Sequence, residues 1–266
     1  MNLLLLYSPA ILTKNYILLC NTSKNFFNYR HSTNIKVFNH ILKNYGFTDK
    51  EIVLLQTEDP IINPRNTIPK KIHLTEEQFI PYEYSRNCKL NLNVLLNYLY
   101  LRHPKLYQLN ENDNLLVYIC GHGNEDLFKI VDRYFLMKGD IERVICWLSK
   151  RLRKVMFILD TCQAEALIDR AICPKNVCIL TTSKPNVFSY STQNSRILGV
   201  YTVCDFIKTL YDTPFTDENM FLTEYFSPAH FKILSSELTI SSSESFKLKD
   251  FFVADNKEEK VKKFIL

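Results

Sequence analysis

Short apolar runs alternate with amphipathic stretches along this chain, and that alternation limits the fold more than any other feature of the sequence. Apolar residues recur at helical spacing near residues 35–45, 92–99 and 141–148. Between these stretches lie runs that are typical of buried strands, at residues 16–20, 51–56, 114–120, 155–159 and 177–180. Strands that alternate with helices predict an α/β fold, in which a mainly parallel sheet carries helices on both faces.

The remaining parts of the chain give weaker patterns. Residues 59–85 hold four prolines and no clear period, which predicts a long surface loop. Residues 1–14 have a short apolar core without a preceding basic residue, so a degenerate signal segment is one interpretation. We expect residues 15–212 to form one catalytic domain and residues 213–266 an extension that packs on it or on partner subunits. No run approaches the ~18 apolar residues of a transmembrane helix.

Composition excludes several classes of protein. Hydrophobic residues make up 46% and charged residues 23% of the chain, which is enough to bury a core and excludes wholesale disorder. The net charge of +5 is spread without a dense basic run, so nucleic acid is not an indicated partner. Most of the eight cysteines lie in apolar runs, where a thiol behaves as a small hydrophobe. Neither a disulfide framework nor a zinc site is expected.

Two of the predicted strands end in residues that are suited to chemistry. Gly-His-Gly at 121–123 follows the third strand, and Asp-Thr-Cys-Gln at 160–163 follows the fourth. The carboxyl ends of parallel strands meet at one edge of a sheet, where ligands bind. A lone histidine is most often a surface or core residue. Here glycines on both sides of His122 let the backbone turn and a substrate approach closely, which favours a functional interpretation.

Cys162 is distinguished by position, since a free cysteine is usually buried. It leaves a strand tip before the next helix, where a helix N-terminus and a nearby imidazolium would favour the reactive thiolate. One crossover helix separates the two strands, so His122 and Cys162 are expected on neighbouring or near-neighbouring strand ends. Their order is comparable with that in caspases, whose histidine lies about 50 residues before the cysteine. A histidine–cysteine dyad is therefore predicted.

Longer stretches carry a family resemblance: Cys-Asn-Thr-Ser at 20–23, Asn-Tyr-Arg-His at 28–31, Asn-Pro-Arg-Asn at 63–66, Val-Tyr-Ile-Cys-Gly-His-Gly at 117–123 and Phe-Ile-Leu-Asp-Thr-Cys-Gln-Ala at 157–164. They resemble the catalytic subunits of glycosylphosphatidylinositol (GPI) transamidases, relatives of legumain within the caspase-like cysteine peptidases. The resemblance implies a caspase-like fold. It also implies an enzyme that cleaves a C-terminal attachment signal and transfers the acyl group to the ethanolamine amine of a GPI anchor.

The resemblance assigns roles at the strand ends. Cys162 is the implied nucleophile and His122 the implied general acid and base. Asn28 matches the family residue that orients the histidine, a task that an uncharged amide can perform. The backbone N–H groups of Gly123 and Cys162 are the implied oxyanion donors.

A substrate pocket and a calcium site are also implied. Arg30, His31 and Ser183 match positions that shape the pocket of legumain-like enzymes, and ordinary loop residues are the alternative. A calcium site maps to Asp49 and Glu83, although the sequence shows no independent ligand pattern and two solvated carboxylates explain both residues equally well. The chemistry itself is expected to need no cofactor.

The chain also departs from the family pattern. Asn124 replaces a further glycine after Gly-His-Gly, which predicts a stiffer loop, and Ile62 replaces the cysteine that bonds to a partner subunit. Many relatives end in a transmembrane helix, whereas this chain stops at Leu266 without one. We therefore expect noncovalent attachment to the other subunits of a membrane complex, on the lumenal side of the endoplasmic reticulum, where proprotein and GPI lipid are substrates.

Two alternatives stay open. A legumain-like asparaginyl endopeptidase would share the acyl-enzyme and resolve it with water, and a noncatalytic interaction module would keep only the fold. The Asn-Tyr-Arg-His and Asp-Thr-Cys-Gln elements favour a transamidase. Docking surfaces are predicted at residues 59–85 and beyond residue 211, where phenylalanines offer anchors, although packing on the catalytic domain is the alternative for each: Phe215, Phe221, Phe226, Phe231, Phe246, Phe251 and Phe252.

Overall fold

A six-stranded sheet runs through the centre of the protein. The computed structural model describes residues 13–68, 70–81, 88–233 and 237–255. Its strands are β1 Asn15–Asn21, β2 Ile52–Leu55, β3 Lys71–His73, β4 Phe79–Pro81, β5 Asn114–Cys120, β6 Leu127–Ile130, β7 Tyr134–Met137, β8 Lys154–Asp160, β9 Val177–Thr181, β10 Gln193–Ser195, β11 Val200–Val203 and β12 Thr239–Ser241. Its α-helices are α1 Tyr29–Asn44, α2 Leu92–Leu99, α3 Lys138–Ser149, α4 Asp205–Asp212 and α5 Leu222–Tyr225.

The central sheet has the strand order β12-β9-β8-β5-β1-β2, and the other strands pair as three hairpins. The sheet is parallel from β9 to β2, whereas β12 runs antiparallel to β9 at the edge. Every residue of β1 and β5 is buried, as continuous apolar runs predict for strands covered on both faces. β5 and β8 lie side by side with Cys120 opposite Asp160, and this register determines where the two functional strand ends lie.

Helices cover both faces of the sheet. Helices α1 and α4 pack on one face, here called the α1 side, with Phe38 and Phe206 in its core. Helices α2 and α3 pack on the other face, the α3 side, with Leu95 and Val144 in its core. The α/β prediction and all of its strands and helices are therefore confirmed. The hairpins and β12 were not predicted, because strands of three or four residues show too little periodicity.

The prediction of a long surface loop over residues 59–85 is wrong for much of the described part. Strands β3 and β4 pair as a hairpin with Ile72 opposite Ile80, and both isoleucines are buried. A buried ion pair of 2.9 Å between Lys36 and Asp59 joins the start of this segment to α1. The prolines mark the ends of short elements and do not indicate a lack of structure.

The part of the chain beyond residue 212 completes the α1-side core. Six of the seven phenylalanines proposed as docking anchors are buried in that core, which agrees with the packing alternative: Phe215, Phe226, Phe231, Phe246, Phe251 and Phe252. Phe221 is 41% exposed. The side-chain amide of Asn15 donates to the carbonyl oxygens of Lys249, over 2.9 Å, and Val253, over 2.7 Å. These bonds attach the start of β1 to the C-terminal part.

Predictions for the two ends of the chain concern residues that lie mostly outside the described ranges. Apart from residues 13 and 14, the proposed signal segment at 1–14 lies outside the described residues, as do residues 256–266. Across the described ranges, none of the helices has the length and apolar character that a membrane crossing requires.

Candidate active site

The strand ends that carry His122 and Cys162 are immediate neighbours in the sheet. β5 and β8 run parallel with Cys120 opposite Asp160, and each functional residue follows two positions later. The N–H of Gly121 donates to the Asp160 carbonyl oxygen over 3.2 Å, so the pairing continues past the ladder. Neighbouring strands lie about 4.8 Å apart. The prediction of neighbouring strand ends is confirmed.

An amide orients the imidazole of His122. Its Nε2 lies 2.8 Å from Oδ1 of Asn28, which ends a 3₁₀-helix directly before α1. The Nδ2 of Asn28 donates to the Lys24 carbonyl oxygen over 2.7 Å. Because that carbonyl can only accept, the amide must turn its own oxygen towards the histidine. Nε2 therefore carries the proton and Nδ1 presents a lone pair, as a general base requires.

Charge and burial favour the neutral form of this base. Burial lowers the pKa of His122, the positive charges of Arg30 and Lys129 lower it further, and Asp132 opposes them. At neutral pH the ring is consequently an unprotonated acceptor. It can take a proton from a thiol and return it to a leaving group.

Two predicted pocket residues lie beside and behind His122. The buried side chain of His31 places Nδ1 2.8 Å from Ser23 Oγ, and its ring meets that of His122 edge-on with centroids 5.0 Å apart. Burial, with Arg30 and His122 adding to it, lowers the pKa of His31 well below its usual range. Arg30 is half-buried, and its charge acts on His31, His122 and Asp160 alike. The charge of Arg30 thus reaches the strand ends, whereas its pocket role stays a prediction, and the ring of His31 contacts that of His122.

Gly123 presents an unused backbone donor. It forms an antiparallel bridge with Phe128, and the hydrogen bonds of this bridge lie on either side of it, at His122 and Asn124. In such a pair the N–H of Gly123 points away from the partner strand. Among the described residues, this N–H and that of Cys162 have no acceptor. Both are free to bind a developing oxyanion.

Packing against the neighbouring strand ends requires glycine on both sides of His122. A Cβ at Gly123 would lie 2.6 Å from Oγ1 of Thr161, and a Cβ at Gly121 would lie 2.0 Å from Oγ1 of Thr22. Side chains that follow β8 and β1 thus fill the space that a larger residue would need. Steric exclusion is thus a second reason for glycine at these positions, in addition to the close substrate approach that the sequence suggests.

Hydrogen bonds hold the turn that carries Cys162. Gln163 has a left-handed backbone, with φ 55° and ψ 31°, and its N–H donates over 2.9 Å to a carbonyl oxygen of the β9–β10 connection. The buried hydroxyl of Ser183 donates to the Thr161 carbonyl oxygen over 2.7 Å and accepts from the Ala164 N–H over 3.0 Å. Because a left-handed non-glycine residue costs about 1 kcal/mol, these bonds stabilise the turn. The pocket role of Ser183 stays a prediction.

The helix that the sequence suggests after Cys162 is only a short 3₁₀-helix, Ala164–Leu167. So few residues form little macrodipole, and the expectation that a helix N-terminus favours the thiolate is wrong. Ala164 and Leu167 of this short element are buried in the α3-side core and so anchor the turn. The imidazole of His122 is left as the group that can activate the thiol.

Asp160 is a site residue to which the sequence assigned no role. Its buried carboxylate accepts hydrogen bonds from Tyr118 over 2.6 Å, Thr182 over 2.9 Å and Ser189 over 3.0 Å. Burial raises its pKa, whereas these bonds and the charge of Arg30 lower it. The sequence did offer one signal for Asp160: a carboxylate that ends an apolar strand directly before the cysteine motif. Nothing local marks its hydroxyl partners.

Comparison with known proteins places these strand ends in a family. Residues 15–265 match the Peptidase C13 family. The chain belongs to this family. A solved structure also resembles this Peptidase C13 chain: caspase-1 from Spodoptera frugiperda has a TM-score of 0.55 at 11% sequence identity and covers 92% of each chain. That likeness confirms the caspase-like fold.

Several proteins similar to this Peptidase C13 chain are named GPI-anchor transamidase. The Saccharomyces cerevisiae protein is 28% identical over 221 residues, which is 77% of this chain and 53% of that protein. The Schizosaccharomyces pombe protein is 29% identical over 207 residues, or 72% and 54%. The Homo sapiens protein is 29% identical over 220 residues, or 77% and 55%. The chain thus spans about half the length of these relatives.

Asp49, the described half of the predicted calcium site, is contacted by two lysines in this Peptidase C13 chain. Its carboxylate pairs with Lys43 over 2.9 Å, and its carbonyl oxygen accepts a hydrogen bond from the Lys105 ammonium group. A second cation is disfavoured between two lysines. Within the described ranges, no cluster of three or more acidic, histidine or cysteine side chains is suited to a metal. Glu83 lies outside those ranges, so calcium stays a prediction.

Asn124 takes the place of the family glycine without backbone strain. The residue is absent from the positions of positive φ in the described chain. Its Oδ1 accepts the N–H groups of Asp126, over 3.0 Å, and Leu127, over 3.1 Å, and so caps the turn into β6. These bonds restrain the turn, in line with the stiffer loop that the sequence predicts.

Proposed function

We propose that this chain is the catalytic subunit of a GPI transamidase. It cleaves a proprotein at a C-terminal attachment signal and transfers the acyl group to the ethanolamine amine of a GPI anchor. The hydrogen bond between His122 and Asn28 carries the proposal, because it orients a neutral imidazole on the strand end next to that of Cys162. Family membership and relatives named GPI-anchor transamidase support it.

The first half-reaction forms a thioester on Cys162. As the sulfur attacks the carbonyl carbon of the attachment site, the thiol proton passes to Nδ1 of His122. The imidazolium then protonates the departing amine while the carbon–nitrogen bond breaks. The N–H groups of Gly123 and Cys162 bind the carbonyl oxygen while it carries negative charge.

The second half-reaction transfers the acyl group. The amine nitrogen attacks the thioester, its proton passes to His122, and the carbon–sulfur bond breaks as the new amide forms. The Cys162 thiolate then takes the proton back. If water attacked instead, the chain would act as a legumain-like endopeptidase. The two functions thus differ in the nucleophile that resolves one intermediate.

The acyl side of the substrate is proposed to lie on the α1 side of the sheet. Arg30 is half-buried there, and its charge acts on Asp160. His31 and Ser183 have buried side chains, so they shape the same pocket from behind. A polar residue at the attachment site suits a pocket that holds both the positive charge of Arg30 and the carboxyl group of Asp160.

We further propose that the chain works with other subunits of a membrane complex on the lumenal side of the endoplasmic reticulum. Ile62 stands where the family has a partner-bound cysteine, and its side chain is 56% exposed. A partner at this position would be held by noncovalent contacts. Nonreducing electrophoresis of the isolated complex tests this, and a reduction-sensitive band that joins this chain to another would contradict it.

The central experiment uses cells whose only copy of the chain carries Cys162→Ala. We expect them to lose GPI-anchored proteins from the surface and to accumulate uncleaved proproteins. Cys146→Ala is the matched control, because this cysteine is exposed on α3, and anchoring should persist. Normal anchoring in the Cys162→Ala cells would reject the proposal. Cleavage without anchoring by the unchanged chain would favour the endopeptidase.

A further inference from the structure

One acceptor motif for N-linked glycosylation lies at the end of β1. Asn21, Thr22 and Ser23 form an Asn-x-Ser/Thr sequon, and the 266-residue sequence contains no second one. Such sequons are modified in the lumen of the endoplasmic reticulum, the compartment that the proposed function assigns to this chain. The modified asparagine normally lies on a surface loop, because the glycan is bulky and hydrated. A sequon at the end of a central strand departs from that rule.

The side chain of Asn21 is buried, and both of its polar atoms form hydrogen bonds. The residue is 1% exposed. Its Nδ2 donates to Ser32 Oγ on α1 over 2.9 Å, and its Oδ1 accepts from the Ser23 N–H over 2.8 Å. An N-linked glycan replaces one hydrogen of Nδ2 with a sugar ring, for which the native packing leaves no room. The glycan and the native position of Asn21 therefore exclude each other.

The other two residues of the sequon contact the surroundings of His122. The N–H of Thr22 donates to the Cys120 carbonyl oxygen over 2.9 Å. Ser23 Oγ lies 2.8 Å from Nδ1 of His31, whose ring meets that of His122 edge-on. A glycan that forces the sequon out of the sheet would thus displace groups that pack against the catalytic imidazole.

The sequon stays accessible for a long part of synthesis. β1 pairs along its whole length with β5, and Thr22 and Cys120 are 98 residues apart in the sequence. The end of β1 therefore cannot be buried before β5 has been synthesised. At about 5–20 residues per second, that delay is roughly 5–20 s. During this time Asn21 lies on an unpaired segment, where a glycosyl transferase can reach it.

We propose that Asn21 is an N-glycosylation site of the unfolded chain, and that its glycan blocks assembly of the active site. This inference rests on the lumenal location in the proposed function. The donor is an oligosaccharide linked to a polyisoprenyl diphosphate. Nδ2 bonds to C1 of the first sugar and gives up one proton, while the bond between C1 and the diphosphate oxygen breaks and the lipid diphosphate leaves. Folding and modification compete for one side chain, so the active fraction is the fraction that folds first.

The test places the full-length chain in a glycosylating lumen and measures modification and folding together. The chain is synthesised with endoplasmic reticulum microsomes behind a cleavable signal peptide, so that entry does not depend on residues 1–14. We expect one glycan, which an endoglycosidase removes. The protease-resistant fraction should be about 10-fold or more lower in glycosylated than in unglycosylated chains. A competing acceptor tripeptide should abolish the glycan and raise the resistant fraction without any substitution.

Three variants separate the position of the glycan from the effect of a substitution. Ser23→Thr keeps the acceptor pattern and should still be glycosylated, whereas Ser23→Ala should not. Ser23→Ala/Phe221→Thr moves the acceptor to Asn219, which is exposed in the C-terminal part of the chain. That glycan should leave protease resistance at the level of Ser23→Ala.

Two results would overturn the inference. If signal cleavage shows that the chain has entered the lumen and yet it carries no glycan, Asn21 is not an acceptor. If the glycosylated chain is as protease-resistant as the unglycosylated one, the end of β1 accommodates the glycan. The proposed function fails by a different measurement: unglycosylated, folded chain in its complex would not transfer the acyl group of an attachment-signal peptide to hydroxylamine.

Discussion

The ends of β5 and β8 present their functional residues in different ways. At the end of β5, Gly121 and Gly123 leave room that side chains of the neighbouring strand ends fill, and His122 projects between them. At the end of β8, hydrogen bonds from Ser183 and from Gln163 hold the turn around Cys162. Larger side chains should therefore lower activity when introduced at the end of β5. Loss of hydrogen-bonding atoms should lower it at the end of β8.

Loss of the reacting groups themselves should have the largest effect and should be equal at the two ends. When the chain is supplied with an attachment-signal peptide and hydroxylamine, an amine that resolves the thioester to a hydroxamate, Cys162→Ala and His122→Ala should each abolish hydroxamate formation. Neither half of the dyad works alone. The double variant should be no worse than either single one, since members of a catalytic unit are not additive. Residual activity in His122→Ala that far exceeds that of Cys162→Ala would contradict the expected equality of the two losses. Circular dichroism checks folding.

Addition of one carbon at the end of β5 comes next. In Gly123→Ala, the Cβ would lie 2.6 Å from Thr161 Oγ1 and 2.7 Å from the Leu127 carbonyl oxygen, so the donor N–H must move. We expect activity to fall about 100-fold, the size of a lost oxyanion donor. Gly139→Ala is the matched control, because its Cβ would approach nothing closer than 3.5 Å.

A second substitution sharpens that result. Thr161→Ala in the Gly123→Ala background removes the side-chain clash and leaves the one with the Leu127 carbonyl oxygen. Activity should therefore recover only in part. Full activity in Gly123→Ala alone would contradict the steric account of this strand end.

Asn28 tests how the imidazole at the β5 end is oriented. Asn28→Ala should lower kcat about 10- to 100-fold without abolishing activity, because His122 keeps its chemistry and loses its fixed orientation. Asn28→Asp should retain more activity, although a carboxylate oxygen would then face the Lys24 carbonyl oxygen. A carboxylate also raises the pKa of His122, so the acid limb of the pH–rate profile should move to higher pH. If Asn28→Ala lost activity as completely as Cys162→Ala, Asn28 would have a larger role than orienting the imidazole.

The two strand ends also differ in how far the sequence predicts them. Apolar runs of six residues in β5 and five in β8 define these strands, and glycines mark His122. The cradle around Asp160 was not predictable, because Tyr118, Thr182 and Ser189 come from separate segments that only the sheet brings together. Packing of this kind has no local pattern. The family resemblance supplied Asn28, which no periodicity would have singled out.

Removal of one oxygen at the end of β8 should have a smaller effect. Ser183→Ala leaves the Thr161 carbonyl group and the Ala164 N–H without their buried partner, which costs about 1–3 kcal/mol in the free energy of unfolding. If Ser183 acts mainly through the turn, kcat should fall and KM should change little. Ser149→Ala, which loses a single bond of 2.9 Å on α3, is the control. A selective rise in KM would support the predicted pocket role.

The smallest effect expected is a pH dependence of stability from His31, which lies beneath His122 at the β5 end. Burial holds the pKa of His31 well below its usual value, so the native ring stays neutral at a pH where the unfolded chain is protonated. The unfolded state then binds more protons, and stability is complete above about pH 6.5 and declines below it, by at most about 1.4 kcal/mol per pH unit for one such group. His31→Asn should flatten this decline.

Denaturant unfolding between about pH 6.5 and 5.5 measures that slope, and this window lies above the usual titration range of carboxylates. Asp160 acts in the opposite sense, because its raised pKa lets the native state hold a proton as the pH falls, so a wider window would mix the two effects. His230→Asn, at an exposed position, is the control. An unchanged slope in His31→Asn would mean that the ring is hydrated in the native state. The β5 end would then be less tightly packed than its glycines indicate, and its contrast with the hydrogen-bonded end of β8 would weaken.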